Sequence, residues 1–462
     1  MQRVAKIAIL TGLVLLIWSA LFASTFRYPF FWDDFHLIRS YRGPEILSAF
    51  HGVIDPDKIE TPGLRSCSIL LYNLQGSLFG ENVIAQRIFM IVLMGAFLMA
   101  TGMLLLEIGL GFLQVMIVFV LFVSSRVFAS LVLWISLSHI ILAYIWIVLT
   151  AYFFLLWVKR DRWFLFLFML AAFTLATFTR EESYTLPVVL PLLWLISTFD
   201  PGRWRQVAIA ALSIFVLACF HYWLWHFLVP NALSPEFTAS AVKRFLGAMA
   251  ASWLPGGSKW IGPADKFIGM TWVAFLIGIV VSFIRVGSPR IRYQFLGVCC
   301  LGMLLSLPAI GIARSFGIAL PTLAFMTAIS IAIGEIYSQM QSREGFRKWQ
   351  RYTTLGVAIL GLAIGIVGGL HRSKYVAESM QENSVTRIDR DGRYLFDFFD
   401  RPVTIPEARR QAGLARLRTF GVHSPDDLRL LQKTLHEDPN HYRQQTPNPN
   451  GLFLPKYDYL SF

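Results

Sequence analysis

The sequence predicts an all-α polytopic membrane protein of about eleven transmembrane helices, with a large external loop after the first helix and a small external domain at the C-terminus. Three observations carry that prediction. Of 462 residues, 56% are hydrophobic and only 15% are charged. The mean hydropathy is +0.57. Apolar runs of about 20 residues, each long enough for a hydrocarbon core of roughly 30 Å, recur along the chain. No ordinary soluble domain has this balance. A formal net charge of +13 would suit a nucleic acid, but the basic residues cluster in short loops between apolar runs, where they set topology. No nucleic-acid partner is expected. Cys219, Cys299 and Cys300 lie inside apolar runs and only Cys67 lies in a polar segment, so neither a disulfide framework nor zinc-ligand spacing can be built.

The first element, "MQRVAKIAILTGLVLLIWSALFAS", has the basic start and small-residue end of a cleavable signal, but its apolar stretch is long enough to be kept as a span. Runs follow near 83–106, 110–126, 131–157, 163–179, 184–199, 207–229, 267–285, 292–312, 317–338 and 353–370. Between 107 and 158 two helices share one almost continuous apolar stretch, and Ser124, Ser125 and Arg126 mark the turn.

Alternate loops fix the orientation. Lys159, Arg160 and Arg162, then Arg203 and Arg205, then Arg285, Arg290 and Arg292, then Arg343, Arg347, Lys348 and Arg351 belong inside by the positive-inside rule, with Arg3 and Lys6. The loops at 27–82 and 230–266 and the tail at 371–462 then lie outside. For a bacterial inner membrane this puts the N-terminus in the cytoplasm and the C-terminus in the periplasm. Residues 1–370 form the transmembrane domain and 371–462 an accessory domain, whose "PNPNG" is turn chemistry.

The external segments hold the chemistry. "FRYPFFWDDFHLIRSY" sets Asp33 and Asp34 beside Trp32 at the lip of the bilayer, where ionised groups are costly. Two roles fit them: caps of an interfacial helix with Trp32 in the aromatic belt, or a general base or metal ligand at the membrane surface. The loop beyond is too long for a connector. It carries amphipathic pieces near Ile46–His51 and Ser68–Phe79, which are expected to lie in the interface, and it delivers Arg65 between them. The next external turn has Arg126, Trp134 and His139; a belt position suits Trp134, and a polar partner role inside the bundle suits His139. "FTREESYTLP" places Arg180, Glu181 and Glu182 at the outer end of the fifth span, either as helix-dipole acids or as carboxylates facing Asp33 and Asp34 to hold an ion. Arg314 sits in a short external turn, against the positive-inside trend, where it suits anion binding. Lys259 lies between Trp253 and Trp260 in a glycine-hinged loop with the composition of a lid.

Carboxylates and arginines bordering a bilayer suit substitution at a carbon whose leaving group is a lipid phosphate. The order of these features resembles the GT-C superfamily of polyprenol-dependent glycosyltransferases, which includes protein O-mannosyltransferases and lipid A aminoarabinose transferases. Trp32, Asp33 and Asp34 look like the acidic motif of that family's first loop. Arg65 through "SLFG", Trp134-Ile135-Ser136, "REESYTLP" and the Arg314, Phe316, Pro321 series resemble its later motifs in order. Ser66 stands where a proline is frequent, and Ser125 and Arg126 replace a proline turn.

The resemblance implies a GT-C fold and inverting transfer of a sugar from a polyprenyl-phosphate donor to a hydroxyl of a glycan, lipid or protein. It gives the base role to Asp33 or Asp34. Arg65, Arg126, Arg314 and Lys259 would serve the donor phosphate; Trp32, Trp134, His139, Arg180, Glu181 and Glu182 would line or support the site. Some relatives need a divalent cation such as Mg or Mn and others do not, so a metal at Asp33, Asp34 and Glu181 is left open. The competing reading is a secondary transporter or lipid flippase, which calls for interrupted helices at mid-membrane and a repeated half. Neither is legible, and the charges gather at one face.

Overall fold

The computed structural model describes residues 2–27, 34–38, 40–51, 64–80, 82–197, 200–228, 239–254, 263–307, 315–342, 348–382, 423–424 and 427. All regular elements among them are helical. In chain order the α-helices are α1 (Gln2–Leu21), α2 (Asp34–Leu37), α3 (Gly43–Ser48), α4 (Ser66–Phe79), α5 (Val83–Ile108), α6 (Phe112–Ser124), α7 (Arg126–Leu133) and α8 (Ser138–Arg160). There follow α9 (Trp163–Thr177), α10 (Leu186–Ser197), α11 (Trp204–Leu228), α12 (Ala239–Ser252), α13 (Pro263–Val286), α14 (Pro289–Leu305), α15 (Ala319–Ser342) and α16 (Lys348–Glu382).

Seven of these, α1, α5, α8, α11, α13, α15 and α16, are long and apolar enough to cross a bilayer, and the α6–α7 pair makes eight if it is one bent span. The chain is a multi-pass α-helical membrane protein. Helices suit that setting because each satisfies its own backbone polar groups where no water is present to do so. Helices also occupy the remaining apolar runs, but α9, α10 and α14 have only 15, 12 and 17 residues. Those lengths fall short of the roughly 20 residues that a straight span requires.

The turn marked by Ser124, Ser125 and Arg126 is a bend of 62° between α6 and α7. Ser125 makes it. Its backbone is extended, its Oγ donates to the Phe122 carbonyl (2.6 Å), and the same Oγ accepts from the Phe128 N–H (3.3 Å), closing one helix and starting the next. Every residue of α7 is buried.

The bundle is layered from centre to rim. The span within α15 has 94% of its most apolar window buried and that of α8 has 72%, against 17% for α13 and 22% for α16. The two rim helices meet through glycine: a Cβ on Gly361 or Gly365 would run into the rings of Phe275 and Trp272, so this G-x-x-x-G face lets α16 lie directly on α13. Helix α16 continues past residue 370. It runs unbroken to Glu382, with Arg372, Ser373, Val376 and Ala377 buried, and Ser373 Oγ donates to the Ser124 carbonyl at 2.9 Å.

Successive reversals sort the connections onto two ends. At one end α4 reaches the α7–α8 turn and the end of α9, through Tyr72 to the Ser136 carbonyl and the Cys67 N–H to the Phe178 carbonyl. At the other, Lys159 binds Glu107, Gln206 binds Asp161, and Glu335 accepts from the Ser288 N–H. The sequence candidates that fall within the described residues lie at the first end.

Candidate functional site

Helix α4 builds the floor of this end. It carries Ser68, Tyr72 and Gln75 at helical spacing on one face and Leu70, Leu74 and Leu78 on another. The three polar residues are buried and the three leucines are exposed. That orientation refines the expectation of a helix lying in the interface: its polar stripe turns into the bundle rather than toward water. Each polar group is satisfied there. Ser68 Oγ donates to the Thr179 carbonyl (3.1 Å), Tyr72 Oη donates to the Ser136 carbonyl (2.8 Å), and Gln75 accepts from Ser138 Oγ (2.6 Å) and exchanges hydrogen bonds with Gln86.

The first loop is stitched onto that floor. The Tyr41 N–H donates to Asn73 Oδ1 (2.8 Å), Tyr41 Oη to the Leu37 carbonyl (2.6 Å), and Ser66 Oγ to the Ala49 carbonyl (2.9 Å). Asp34, the first residue of α2, is thereby fully buried, and its Oδ1 accepts from the Ser136 N–H at 2.6 Å. The first-loop carboxylate thus rests on the Trp134-Ile135-Ser136 segment, 102 residues further along the chain.

The Ser136 peptide joins two halves of a network. Its N–H serves Asp34, while its carbonyl lies 2.7 Å from His139 Nδ1, and Tyr72 Oη lies 2.6 Å from the same nitrogen. On the far side of the ring, Arg180 Nη1 donates to His139 Nε2 at 3.1 Å. A guanidinium cannot accept, so Nε2 is the acceptor and Nδ1 carries the proton; His139 is a neutral connector. Arg180 then grips Glu182 with two contacts, Nε to Oε2 at 2.8 Å and Nη2 to Oε1 at 2.7 Å. Beside it Arg65 Nε donates to Glu181 Oε1 at 2.8 Å. One connected set thus includes Asp34, Tyr72, Ser136, His139, Arg180 and Glu182, with the Arg65–Glu181 pair bonded to it through the chain.

The local sequence explains why the charges face inward. Residues 181–185 form a 3-10 turn rather than the start of α10, and this turn lifts the acids clear of the apolar helix that follows. Burial by itself would lower the Arg180 pKa, but Glu182 and then Glu181 more than reverse that, so its pKa is raised and it stays a cation. Burial would raise Glu181, but Arg65 and Arg180 carry it below its ordinary value of 4.5. Arg180 and Glu181 are therefore both held in their charged forms by the opposite charges beside them.

Arg126 and Trp134 are the remaining described candidates. Arg126 is buried at the first position of α7, next to the Ser125 bend. Trp134 is wholly buried, which replaces the lipid-facing belt position with one in the core. Trp32, Asp33, Lys259 and Arg314 lie outside the described residues, as do residues 230–238 and 255–262 of the 230–266 loop and most of the C-terminal tail. Among the described residues no three His, Cys, Asp or Glu side chains are placed to hold a metal ion.

Sequence reasoning passed over Tyr72, and it passed over Tyr184 with its partner His221, whose Nδ1 lies 2.6 Å from Tyr184 Oη. For Tyr72 a signal was present in the Ser68, Tyr72, Gln75 spacing. For His221, one of two histidines in the apolar α11, there was none. Comparison of the chain with protein-family models, with curated proteins and with solved structures gives no match.

Proposed function

We propose that the protein is a GT-C-like glycosyltransferase that moves a sugar from a polyprenyl-phosphate donor to an acceptor hydroxyl, with inversion, at the end of the bundle that carries Asp34. What supports this reading is one juxtaposition: a buried carboxylate of the first loop rests on the Trp134-Ile135-Ser136 segment, in a network that includes Arg180, Glu182 and His139.

The acceptor oxygen attacks the anomeric carbon while the bond from that carbon to the phosphate oxygen breaks. The acceptor proton passes to Asp34 or to its neighbour Asp33, and polyprenyl phosphate leaves with the bonding pair. The Ser136 N–H holds the Asp34 carboxylate in place, and Tyr72 and His139 hold the Ser136 peptide. Arg65, oriented by Glu181, would supply a hydrogen-bonding cation for the departing phosphate, while Arg180 is engaged by Glu182 and His139 and supports the network. Arg126, Arg314 and Lys259 are further candidates for that duty. A divalent cation, Mg or Mn, would supply the same charge if bound at Asp33, Asp34 and Glu181.

In this reading the eleven apolar runs are all spans, with the short α9, α10 and α14 crossing where the bundle is thin. The N-terminus is cytoplasmic, the C-terminal tail is periplasmic, the membrane is a bacterial inner membrane, and the acceptor is a glycan, lipid or protein of the envelope. The test is transfer of radiolabelled sugar from membrane lipid in cells carrying wild type, Asp33→Asn or Asp34→Asn. Loss of product with accumulation of the labelled lipid donor is expected in whichever variant lacks the base. Full labelling in both folded variants returns the aspartates to a capping role.

A further inference from the structure

We propose that a cavity between α6, α13, α15 and α16 binds an anionic diacyl phospholipid, taken from the leaflet at the end of the bundle opposite Asp34. The cavity measures about 570 Å³, well inside the range of built ligand sites. Its lining is graded. Toward mid-bundle it is formed by Phe275, Ile333 and Leu362, whereas Ser282, Tyr337 and Thr354 bring hydroxyls to the other end. A ligand with an apolar tail and a polar head fits that gradient.

Two further observations settle the class of ligand. The first is charge at the hydroxylated end. On α13 the lining residues Phe275, Gly278 and Ser282 form a stripe at helical spacing, and the next position of that stripe is Arg285, which is exposed. That arginine falls one helical turn beyond the Ser282 hydroxyl, where a lipid phosphate would sit.

The second observation is length. The seam at Gly361–Phe275 and Gly365–Trp272 closes α13 onto α16 at the mid-bundle end. From Ala274 to Ser282 the cavity covers about 12 Å of helix, which is most of one leaflet of a hydrocarbon core roughly 30 Å thick. That span suits an acyl chain of the adjacent leaflet better than a long isoprenoid chain. Access runs sideways from the bilayer, since Val357 and Ile359 at its rim are exposed on a membrane-spanning helix. The site lies at the opposite end from Asp34 and does not depend on the transferase reading.

The test is native mass spectrometry of the full chain in detergent, titrated with phosphatidylglycerol and with phosphatidylcholine of identical acyl chains. An arginine near a phosphate favours the anionic lipid about fivefold, so wild type should retain phosphatidylglycerol about fivefold more tightly. Arg285→Gln should abolish that preference while both lipids still bind. Ala358→Trp, which fills the cavity, should remove binding of both lipids. Should that variant fold poorly, Arg285→Gln, at an exposed position, still decides. Equal retention of the two lipids by wild type, an undiminished preference in Arg285→Gln, or displacement of phosphatidylglycerol by polyprenyl phosphate would each overturn the proposal.

Discussion

The two ends of the bundle use the same residue types in opposite ways. At the Asp34 end, Arg180 and Glu182 pair with side chains only 6% and 10% exposed, and the arginine also serves a buried histidine. At the other end, Arg203 pairs with Asp161 at 3.4 Å with side chains 35% and 63% exposed, and the acid sits in a turn between helices. The first arrangement removes charges from water and must satisfy them completely. The second lets water share the work, and exposed pairs of this kind contribute about 0–1 kcal/mol. A protein gains little from burying ions if stability is all it needs, so the Arg180–Glu182 pair, more buried than the other described ion pairs, is what sets that end apart.

That contrast can be broken most severely at Arg180. Arg180→Ala leaves Glu182 buried without its cation, and a loss of about 3–5 kcal/mol is expected from thermal unfolding in detergent. Arg180→Lys keeps the charge but not the two-point grip on Glu182, and should recover only part of the loss. If Arg180→Ala unfolds no earlier than Arg203→Ala, the two ends are alike and the contrast is lost.

A pH titration sharpens it further. Glu181 has its pKa depressed in the folded protein, so it contributes stability that is fully present above its ordinary value of 4.5 and lost as pH falls below that value. Unfolding temperature should therefore drop more steeply on acidification below about pH 4.5 in wild type than in Glu181→Gln. The Arg65→Gln variant should lose the same slope, because Arg65 is the principal cause of the depression. Tyr72→Phe comes next in size. It removes one buried hydroxyl that donates to the Ser136 carbonyl, for a cost of about 0.5–1.5 kcal/mol. Under the proposed transferase reading, its effect on sugar transfer should exceed its effect on stability, because the Ser136 backbone also holds Asp34.

Much of this end is legible in the sequence, and for a physical reason. Charged residues beside apolar runs are expensive, so Asp34, Arg65, Arg180, Glu181 and Glu182 stand out by their place in the chain alone. What periodicity cannot tell is which medium a polar face meets. The Ser68, Tyr72, Gln75 stripe is visible as a stripe, yet in a membrane protein the wet side of a helix is sometimes the inside of the bundle. Trp134 shows the same ambiguity: belt statistics favour the interface, while its place at the end of the buried α7 puts it in the core. Hydropathy finds α9, α10 and α14, and for the first two it also shows the shortness, because the polar residues 179–185 between them close both apolar runs early. The bend at Ser125 is half legible, since its capping hydroxyl is in the sequence while the 62° angle comes from packing against α16.

The smallest effects belong to the far end, and they test the comparison from its quiet side. Lys159 Nζ reaches both the Glu107 carbonyl (2.6 Å) and Glu107 Oε2 (3.0 Å), with the side chains 27% and 18% exposed. This is intermediate between the two extremes, and Lys159→Met should cost about 1 kcal/mol, read as a modest drop in unfolding temperature. Asp161 ends α8 in the left-handed region (φ 51°), which aspartate tolerates at some cost and glycine adopts freely. Asp161→Gly relieves that strain but gives up the contacts to Arg203 and Gln206, so the two changes should cancel to within about 0.5 kcal/mol. A large loss there would mean that the exposed pair is part of a cooperative network after all. Burial would then no longer separate the working end of the molecule from the end that merely closes the bundle.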